Sequence, residues 1–544
     1  MPNWVNASVF YHIYPLGFCG APEYNDGQVI RRLDKLADWI PHLKKLQVNA
    51  LYIGPLFEAS RHGYDTRDYY KVDQRLGDNT SFKALCSQLH ANGIRVVLDG
   101  VFNHVGREFW AFKDVQEKRE ASPYCGWFQN LHFNACSPAG DPFWYEGWNG
   151  HYDLVKLNLK HPDVIRHLLG AVEMWMNEFH IDGLRLDAAD CVDPDFFRQL
   201  HSFCKAKNPD FWLMGEIIHG DYTRWANPEM LDSVTNYECY KGIYSSHNDH
   251  NYFEIAHSLQ RQFAAGGIYK GICTYNFVDN HDVNRIADNC RNTAHLKNVY
   301  TILYTMPGVP SIYYGSEWAV HGTRSNQSDQ ALRPCLELGC TTDDGKGLEE
   351  YLCKLGKARR ALKPLQYGDF ENIIIKNEQL VYARRMEGQT IYIALNLADS
   401  AQQVDFRIDE GFSHLTDVLT GESFSGDDSH HLPLAACSAR ILVLHNGGFS
   451  GLTGEQAAIL CDDEPEKPPL PDIPVVTPGR YRHYKGGEYE VLGIAQHSET
   501  KEKMVVYKAL YEGGGLWVRP YDLFIQSVES NGHTMLRFTK IDEL

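Results

Sequence analysis

Four apolar runs of this chain end in acids, with His and Arg among them. Asp99 and Asn103-His104 close one run, Arg185 and Asp187 a second, Glu216 a third and His281-Asp282 a fourth. Taken singly, an Asp after a strand is more often a helix cap or a turn residue. Gathered in one place, such residues suit glycoside hydrolysis, where one carboxylate attacks the anomeric carbon and another protonates the leaving oxygen. The attacker must stay ionised and the donor must hold its proton near neutrality. Arg185 stands two residues before Asp187, on the same face of an extended segment, and so is placed to favour the charged form of Asp187. Glu216, crowded by other acids, is expected to have a raised pKa and to serve as the acid.

Positioning these groups requires a scaffold that aims several strand ends at one point. Short β-branched or aromatic runs predict strands near 8–14, 49–53, 94–99, 183–187, 211–215, 232–236, 272–278 and 310–314. Helical patterns separate them, which suggests repeated βα units and a parallel sheet. The expected fold class is α/β, a (β/α)₈ TIM barrel, which carries catalytic groups at the C-terminal ends of its strands and typically takes about 250 residues. This barrel is expected over 1–104 and 161–365, with a subdomain rich in Trp, Phe, Tyr, Gly and Pro inserted at 105–160, after the third strand. Insertions of that length are usually functional, so it is assigned to one wall of the barrel mouth. Residues 366–447, including Thr390-Ile391-Tyr392-Ile393-Ala394-Leu395, read as a C-terminal β-sandwich domain. An acidic linker at 448–478, stiffened by Pro465, Pro468, Pro469, Pro471, Pro474 and Pro478, leads to a further small all-β module at 479–544.

Composition narrows the function classes. The chain is 43% hydrophobic and 22% charged, as a folded soluble protein is, and no stretch approaches the roughly 18–20 consecutive apolar residues of a membrane helix. A formal charge of −18 disfavours nucleic acid and anionic lipid as partners and fits a neutral or cationic ligand better, although general solubility accounts for it as well. The start, Met1-Pro2-Asn3-Trp4, lacks the basic and apolar regions of a secretory signal. The 14 cysteines have no paired short spacings and read as reduced thiols, so a cytoplasmic location is expected. Neither Cys-x-x-Cys nor His-Glu-x-x-His occurs, which removes the usual sequence signals for zinc.

In order along the chain, Asp99-Gly100-Val101-Phe102-Asn103-His104, Gly183-Leu184-Arg185-Leu186-Asp187, Gly215-Glu216 and Phe277-Val278-Asp279-Asn280-His281-Asp282 resemble the four sequence regions of the α-amylase superfamily of glycoside hydrolases, family thirteen. The resemblance covers roughly residues 8–445. It implies a retaining double displacement in which Asp187 is the nucleophile, Glu216 the general acid/base, and Asp282 the carboxylate that steadies the distorted sugar. It also implies that His104 and His281 hydrogen-bond the sugar, that Tyr64 stacks on it, and that Asp99 and Arg185 belong to the substrate-binding set. His62-Gly63-Tyr64-Asp65-Thr66, Val155-Lys156-Leu157-Asn158 and Glu216-Ile217-Ile218-His219 are similar to the cyclomaltodextrinase, neopullulanase and maltogenic amylase branch, which adds His62 and His219 to the candidate substrate contacts. The implied activity is endo-type hydrolysis of α-glucosidic bonds, mainly α-1,4, in maltodextrins, cyclodextrins or related α-glucan oligosaccharides.

Some positions depart from neighbouring branches. Asp190-Cys191 stands where many starch-cutting endo-amylases carry Lys-His, and Arg61 stands where exo-acting oligoglucosidases usually carry Asp. The N-terminal domain usual in the favoured branch is not expected, because the barrel pattern begins almost at Met1, and this leaves the oligomeric state open. No cofactor is required; Asn103 matches a position that ligates calcium in many members, but no dense Asp/Asn loop accompanies it. Trp127, Phe128, Phe143, Trp144, Tyr145 and Trp148 are candidates for stacking on glucose or for packing the subdomain core. The tail resembles a small bacterial domain of unknown function, whose Tyr481, Tyr484, Trp517 and Tyr521 form either a binding face or a compact core, the core being the favoured reading. The same catalytic residues would serve a transglycosylase or glucoside isomerase, and the same barrel could carry an inactive sugar-binding protein.

Overall fold

The computed structural model describes residues 1–325, 328–408, 412–425, 431–446, 456, 460, 476–498, 503–511, 514–530 and 533–541. They form two compact units, Met1–Cys461 and Asp462–Leu544.

The first unit is built on eight parallel barrel strands: Phe10–Ile13, Ala50–Ile53, Arg95–Gly100, Gly183–Leu186, Trp212–Gly215, Ser233–Val234, Tyr275–Asn276 and Val309–Tyr313. All eight lie within or against the segments expected from sequence. The sheet runs in the order sixth, fifth, fourth, third, second, first, eighth, seventh. A parallel bridge from Thr235 to Tyr275 joins its two edges and closes the barrel. Phe10, Ala50, Tyr52, Val97, Trp212, Met214, Tyr275 and Val309 belong to one buried cluster formed from six of these strands and so fill the barrel interior. Such strands need to be apolar on both faces, since helices cover the outside, and this is why they read as continuous runs. Parallel register pairs Asp99 with Arg185 and Arg185 with Met214, one residue before Gly215-Glu216. Asp99 and Arg185 therefore lie side by side across the third and fourth strands, with Glu216 beginning just beyond the fifth.

The sixth and seventh strands are shorter than expected, two residues each. Side chains replace much of the ladder between them. The Asn236 amide nitrogen Nδ2 donates to Gln262 at 3.0 Å and to Thr274 and Asn276 at 3.3 Å each, while the Asn236 backbone N–H reaches the Tyr275 carbonyl at 2.9 Å.

After the third strand the chain makes a small three-stranded antiparallel sheet from His104–Gly106, Gly147–Trp148 and His151–Lys156, with a helix at Trp110–Lys118. Phe112, Phe128, Phe143 and Tyr145 pack its core. Gly106 permits this sheet to lie against the barrel, for a Cβ there would sit 2.5 Å from the Asp65 carbonyl oxygen. The sandwich follows as a six-stranded antiparallel sheet spanning Asp369–Asn446 faced by the two-stranded pair Gln402–Val404 and Leu432–Leu434. Val381, Tyr392, Val404, Phe406, Leu415, Leu432 and Leu442 form its core.

The barrel's last helix, Leu348–Ala361, is pinned to the chain start by one side chain. Arg359 is fully buried and donates to the carbonyls of Asn6 at 2.9 Å, Ser8 at 3.3 Å, Tyr304 at 3.1 Å, Gly308 at 2.7 Å and Leu365 at 3.0 Å. Burial pulls this guanidinium down to about 10. An unsatisfied buried acceptor costs about 1–3 kcal/mol, so Arg359→Leu is expected to destabilise the chain by at least about 3 kcal/mol, read from the midpoint of urea unfolding.

In the second unit a five-stranded antiparallel sheet is ordered Leu516–Pro520, Lys503–Ala509, Glu488–Gln496, Gly479–His483, Phe538–Lys540. Val476, Tyr481, Val491, Val505, Tyr507, Phe524 and Phe538 form its core, with Tyr521 packed against it. Trp517 corrects the expectation of a core residue: it is 54% exposed, because it lies on an edge strand whose neighbours Leu516 and Val518 are also exposed. Of the linker prolines, Pro465, Pro468, Pro469, Pro471 and Pro474 lie outside the described residues. No helix among the described residues is long and apolar enough to cross a membrane.

Candidate active site

One guanidinium organises the barrel mouth. Arg185 Nη1 lies 2.9 Å from both Asp99 Oδ1 and Asp187 Oδ1, and Nη2 lies 2.9 Å from Glu216 Oε2. The other Asp99 oxygen accepts from Tyr52 at 2.9 Å and Tyr64 at 3.0 Å. Asp99 thus has both oxygens filled by protein donors and no exposed side-chain surface. This corrects the expectation of substrate contact for Asp99, which holds Arg185 and Tyr64 in place instead.

Asp187 follows the fourth strand directly, and Ala188 after it adopts left-handed backbone, φ 43° and ψ 46°, unusual for a residue with a Cβ. That turn sends the Ala188 N–H to Glu216 Oε2 at 3.1 Å. Tyr237, just beyond the sixth strand, places its hydroxyl 3.3 Å from Glu216 Oε1 and accepts from Asn280 at 3.2 Å. Glu216 is therefore not simply crowded by acids, as the sequence suggests, but shares the Arg185 guanidinium with them.

Electrostatics divide the carboxyls. Burial lifts Asp187 well above the usual carboxylate range; Arg185 opposes this, while the charges of Glu216 and Asp99 add to it. Arg185 does favour the charged form of Asp187, as the sequence suggests, but burial and the neighbouring acids outweigh it. Asp282 goes the other way. Burial would raise it, but His281, whose Nε2 lies 3.0 Å away, and Arg333, whose Nη2 lies 3.1 Å away, hold it far below the usual range. Asp187 and Asp282 are thus shifted in opposite directions.

The imidazoles and the tyrosine wall frame this centre. His104 is buried, its Nε2 4.0 Å from Asp187 Oδ2 and without a hydrogen bond, and burial lowers its pKa to about 3, so the ring is neutral. Tyr64 stacks on His281 with ring centres 5.6 Å apart, and Tyr14 flanks His281 at 5.8 Å. His62 is partly buried; its Nδ1 accepts from the Tyr64 N–H at 3.3 Å, so its contact here is to the Tyr64 loop. His219 does not join the carboxylates: it is exposed and lines a 470 Å³ cavity with Tyr237, Tyr240 and Tyr244. From the insertion, Trp148 reaches the centre by stacking over His104, 5.5 Å between ring centres. Trp127, Phe128, Phe143 and Tyr145 are buried in the subdomain itself. The Asn103 amide donates to His104 Nδ1 at 3.1 Å, and no group of three His, Cys, Asp or Glu ligands gathers around it among the described residues.

Sequence reasoning missed Tyr237, Ala188 and the Arg333–Asp329 pair, 3.4 Å apart, which approaches Asp282 from the segment beyond the eighth strand. Testing the end of the sixth strand as the others were tested would have found Tyr237.

Residues 12–347 match the family model described as alpha amylase, catalytic domain, and residues 479–540 match a protein family of unknown function, DUF1653. A cyclomaltodextrinase of Geobacillus thermopakistaniensis (strain MAS1) is 31% identical over 78% of this chain and 75% of its own length. Neopullulanase 2 of Thermoactinomyces vulgaris is 30% identical over 82% of this chain and 79% of its own. A solved cyclomaltodextrinase structure superposes with a TM-score of 0.72 at 28% identity, covering 81% of this chain and 79% of that one.

Proposed function

Because the chain belongs to the alpha-amylase family of glycoside hydrolases, we propose that it cleaves α-1,4 bonds within cyclodextrins and short maltodextrins by a retaining mechanism, with Asp187 as nucleophile and Glu216 as acid/base. The observation that carries this reading is the single guanidinium of Arg185 bonded to both carboxyls. Carboxyls on adjacent arms of one guanidinium are held close together. In retaining glycosidases the pair stands about 5–5.5 Å apart, against about 6.5–9.5 Å in inverting ones, which need room for a water.

The steps follow from the roles assigned to the two carboxyls. Glu216 gives its proton to the glycosidic oxygen as the C1–O bond breaks, and Asp187 bonds to C1 from the opposite face. Glu216, now a carboxylate, takes a proton from the incoming water, whose oxygen displaces Asp187 from C1. Asp282, kept charged by His281 and Arg333, offers negative charge to the oxocarbenium-like transition states. The N–H of His104 Nε2, buried and unpartnered beside Asp187, is left for a sugar hydroxyl. Substrate choice is supported by the cyclomaltodextrinase and neopullulanase names of the relatives. A cytoplasmic setting agrees with the free state of the thirteen described cysteines and with the name of one relative, an intracellular maltogenic amylase of Bacillus subtilis.

The test incubates the protein with β-cyclodextrin, pullulan, soluble starch and maltotriose, resolving products by chromatography and the first-formed anomer by proton NMR. Maltose and glucose released fast from cyclodextrin or maltotriose, first as the α-anomer, are expected. A first-formed β-anomer would overturn retention, products longer than substrate would favour transglycosylation, and no turnover of any of the four would overturn the reading.

Trp148→Ala is expected to raise KM for maltotriose about fivefold while changing kcat little, as loss of an aromatic contact worth about 1 kcal/mol would do. Initial rates over a range of maltotriose concentrations check it.

A further inference from the structure

We propose that His295, Asp399 and Cys437 form a binding site for a divalent cation of zinc type, at the seam between the barrel and the sandwich. Their ligand atoms lie within 4.8 Å of one another, the only such group among the described residues. His295 ends a short turn of 3₁₀ helix that leads into the barrel helix Leu296–Thr305, while Asp399 and Cys437 lie in two turns of the sandwich. The Cys437 N–H bonds the Ala398 carbonyl at 3.0 Å, which ties the two turns together. Beside the cluster, the Asn298 side chain on that barrel helix bonds the Asn396 carbonyl at 2.8 Å, so the elements carrying the ligands are already in register.

The geometry is close to that of a filled site. Cys437 Sγ stands 3.5 Å from Asp399 Oδ1. In a tetrahedron with metal–ligand bonds of about 2.0–2.3 Å, ligand atoms are roughly 3.3–3.8 Å apart. A thiol donating to a carboxylate would account for that contact alone, but it leaves His295 unexplained. His295 is 1% exposed and its Nδ1 makes no hydrogen bond. As it stands the Asn292 amide nitrogen Nδ2 lies 3.2 Å from Nε2, so a metal on Nδ1, which puts the ring proton on Nε2, requires the Asn292 amide to turn and present its oxygen, giving up its bond from the Ala294 N–H.

The charges also balance. A neutral imidazole, a carboxylate and a thiolate, formed as the thiol proton passes to solvent, together offset a divalent cation. A His, Asp and Cys set suits zinc better than calcium or magnesium, which take oxygen ligands. Asp399 is exposed and Cys437 partly so, which gives the ion a path in and leaves a fourth position for water.

The test uses the full chain, stripped by a chelator and titrated with Zn²⁺ against a chromophoric competitor, with Co²⁺ as a spectroscopic probe. One tightly bound equivalent is expected, with a thiolate-to-cobalt charge-transfer band and a Zn²⁺-dependent rise in Tm. Cys437→Ser should abolish the band, and both Cys437→Ser and Asp399→Asn should weaken Zn²⁺ binding at least about 100-fold. Without metal, Cys437→Ser should keep the unmutated Tm and cyclodextrin turnover, separating lost binding from lost folding. Absence of a tight equivalent in the unmutated chain would overturn the proposal. So would a band that persists in Cys437→Ser, which would assign the metal to another thiol such as exposed Cys136, Cys191 or Cys335.

Discussion

Asp187→Asn is expected to lower turnover of maltotriose and of α-maltosyl fluoride alike by about 10⁴-fold or more, about 5.5 kcal/mol of activation free energy. Glu216→Gln should lose a similar factor on maltotriose but keep most of its rate of glycosyl transfer from the fluoride. The difference lies in the leaving group. A sugar alkoxide needs a proton as it departs and fluoride does not, whereas either substrate needs a carboxylate to bond to C1. If both variants failed equally on the fluoride, or if Asp187→Asn kept turnover, the two roles would have to be reassigned. Thermal unfolding of Asp187→Asn adds a second reading. The folded carboxyl is raised above its unfolded value of about 3.9, so the unmutated protein loses stability as pH rises from there through the folded pKa. The neutral amide escapes that loss. Asp187→Asn should therefore melt higher at neutral pH, with a stabilisation of about 1–2 kcal/mol, and the gain should vanish below about pH 4.

Arg185→Met is expected to be more damaging to stability, because it removes the cation shared by Asp99, Asp187 and Glu216 while leaving all three buried. Breaking a buried pair by removing one partner costs about 3–5 kcal/mol, and here three acids lose theirs together. Stability should fall by at least that amount in urea unfolding at pH 7. The loss should shrink as pH is lowered and the stranded carboxyls take up protons. Activity should fall by about 10³-fold or more at any pH where the fold survives, since Asp187 and Glu216 would no longer be held to one centre. Arg185→Lys keeps the charge but offers a single ammonium in place of two arms. It should recover much of the stability and little of the rate. Recovery of both would show that charge alone matters there.

The barrel was legible in the sequence because strands covered on both faces must be apolar throughout, so each run ends visibly where a polar residue appears. The catalytic carboxyls were legible for the same reason, as the first polar groups past those ends. Other parts of the site left no such mark. Arg333 reaches Asp282 from 51 residues further along the chain, in a segment without periodicity. Ala188 is an ordinary small residue whose role lies in its backbone angles. The balance at Glu216 depended on where one guanidinium comes to rest, which a count of nearby acids does not give. His295, Asp399 and Cys437 are separated by dozens of residues and are brought together only when the sandwich folds back on the barrel.

The join between the sixth and seventh strands has a kinetic consequence. The first five strands are joined by backbone ladders, but at this join Asn236 carries much of the pairing through its side chain. Amide protons at Thr235 and Asn236 should exchange with deuterium ahead of those in the first five strands, by local opening instead of global unfolding. Tyr237, the next residue, holds the hydroxyl that faces Glu216. An opening that carries Tyr237 with it would take from Glu216 the hydroxyl neighbour 3.3 Å away, and the join would then set how often the acid/base stands without it.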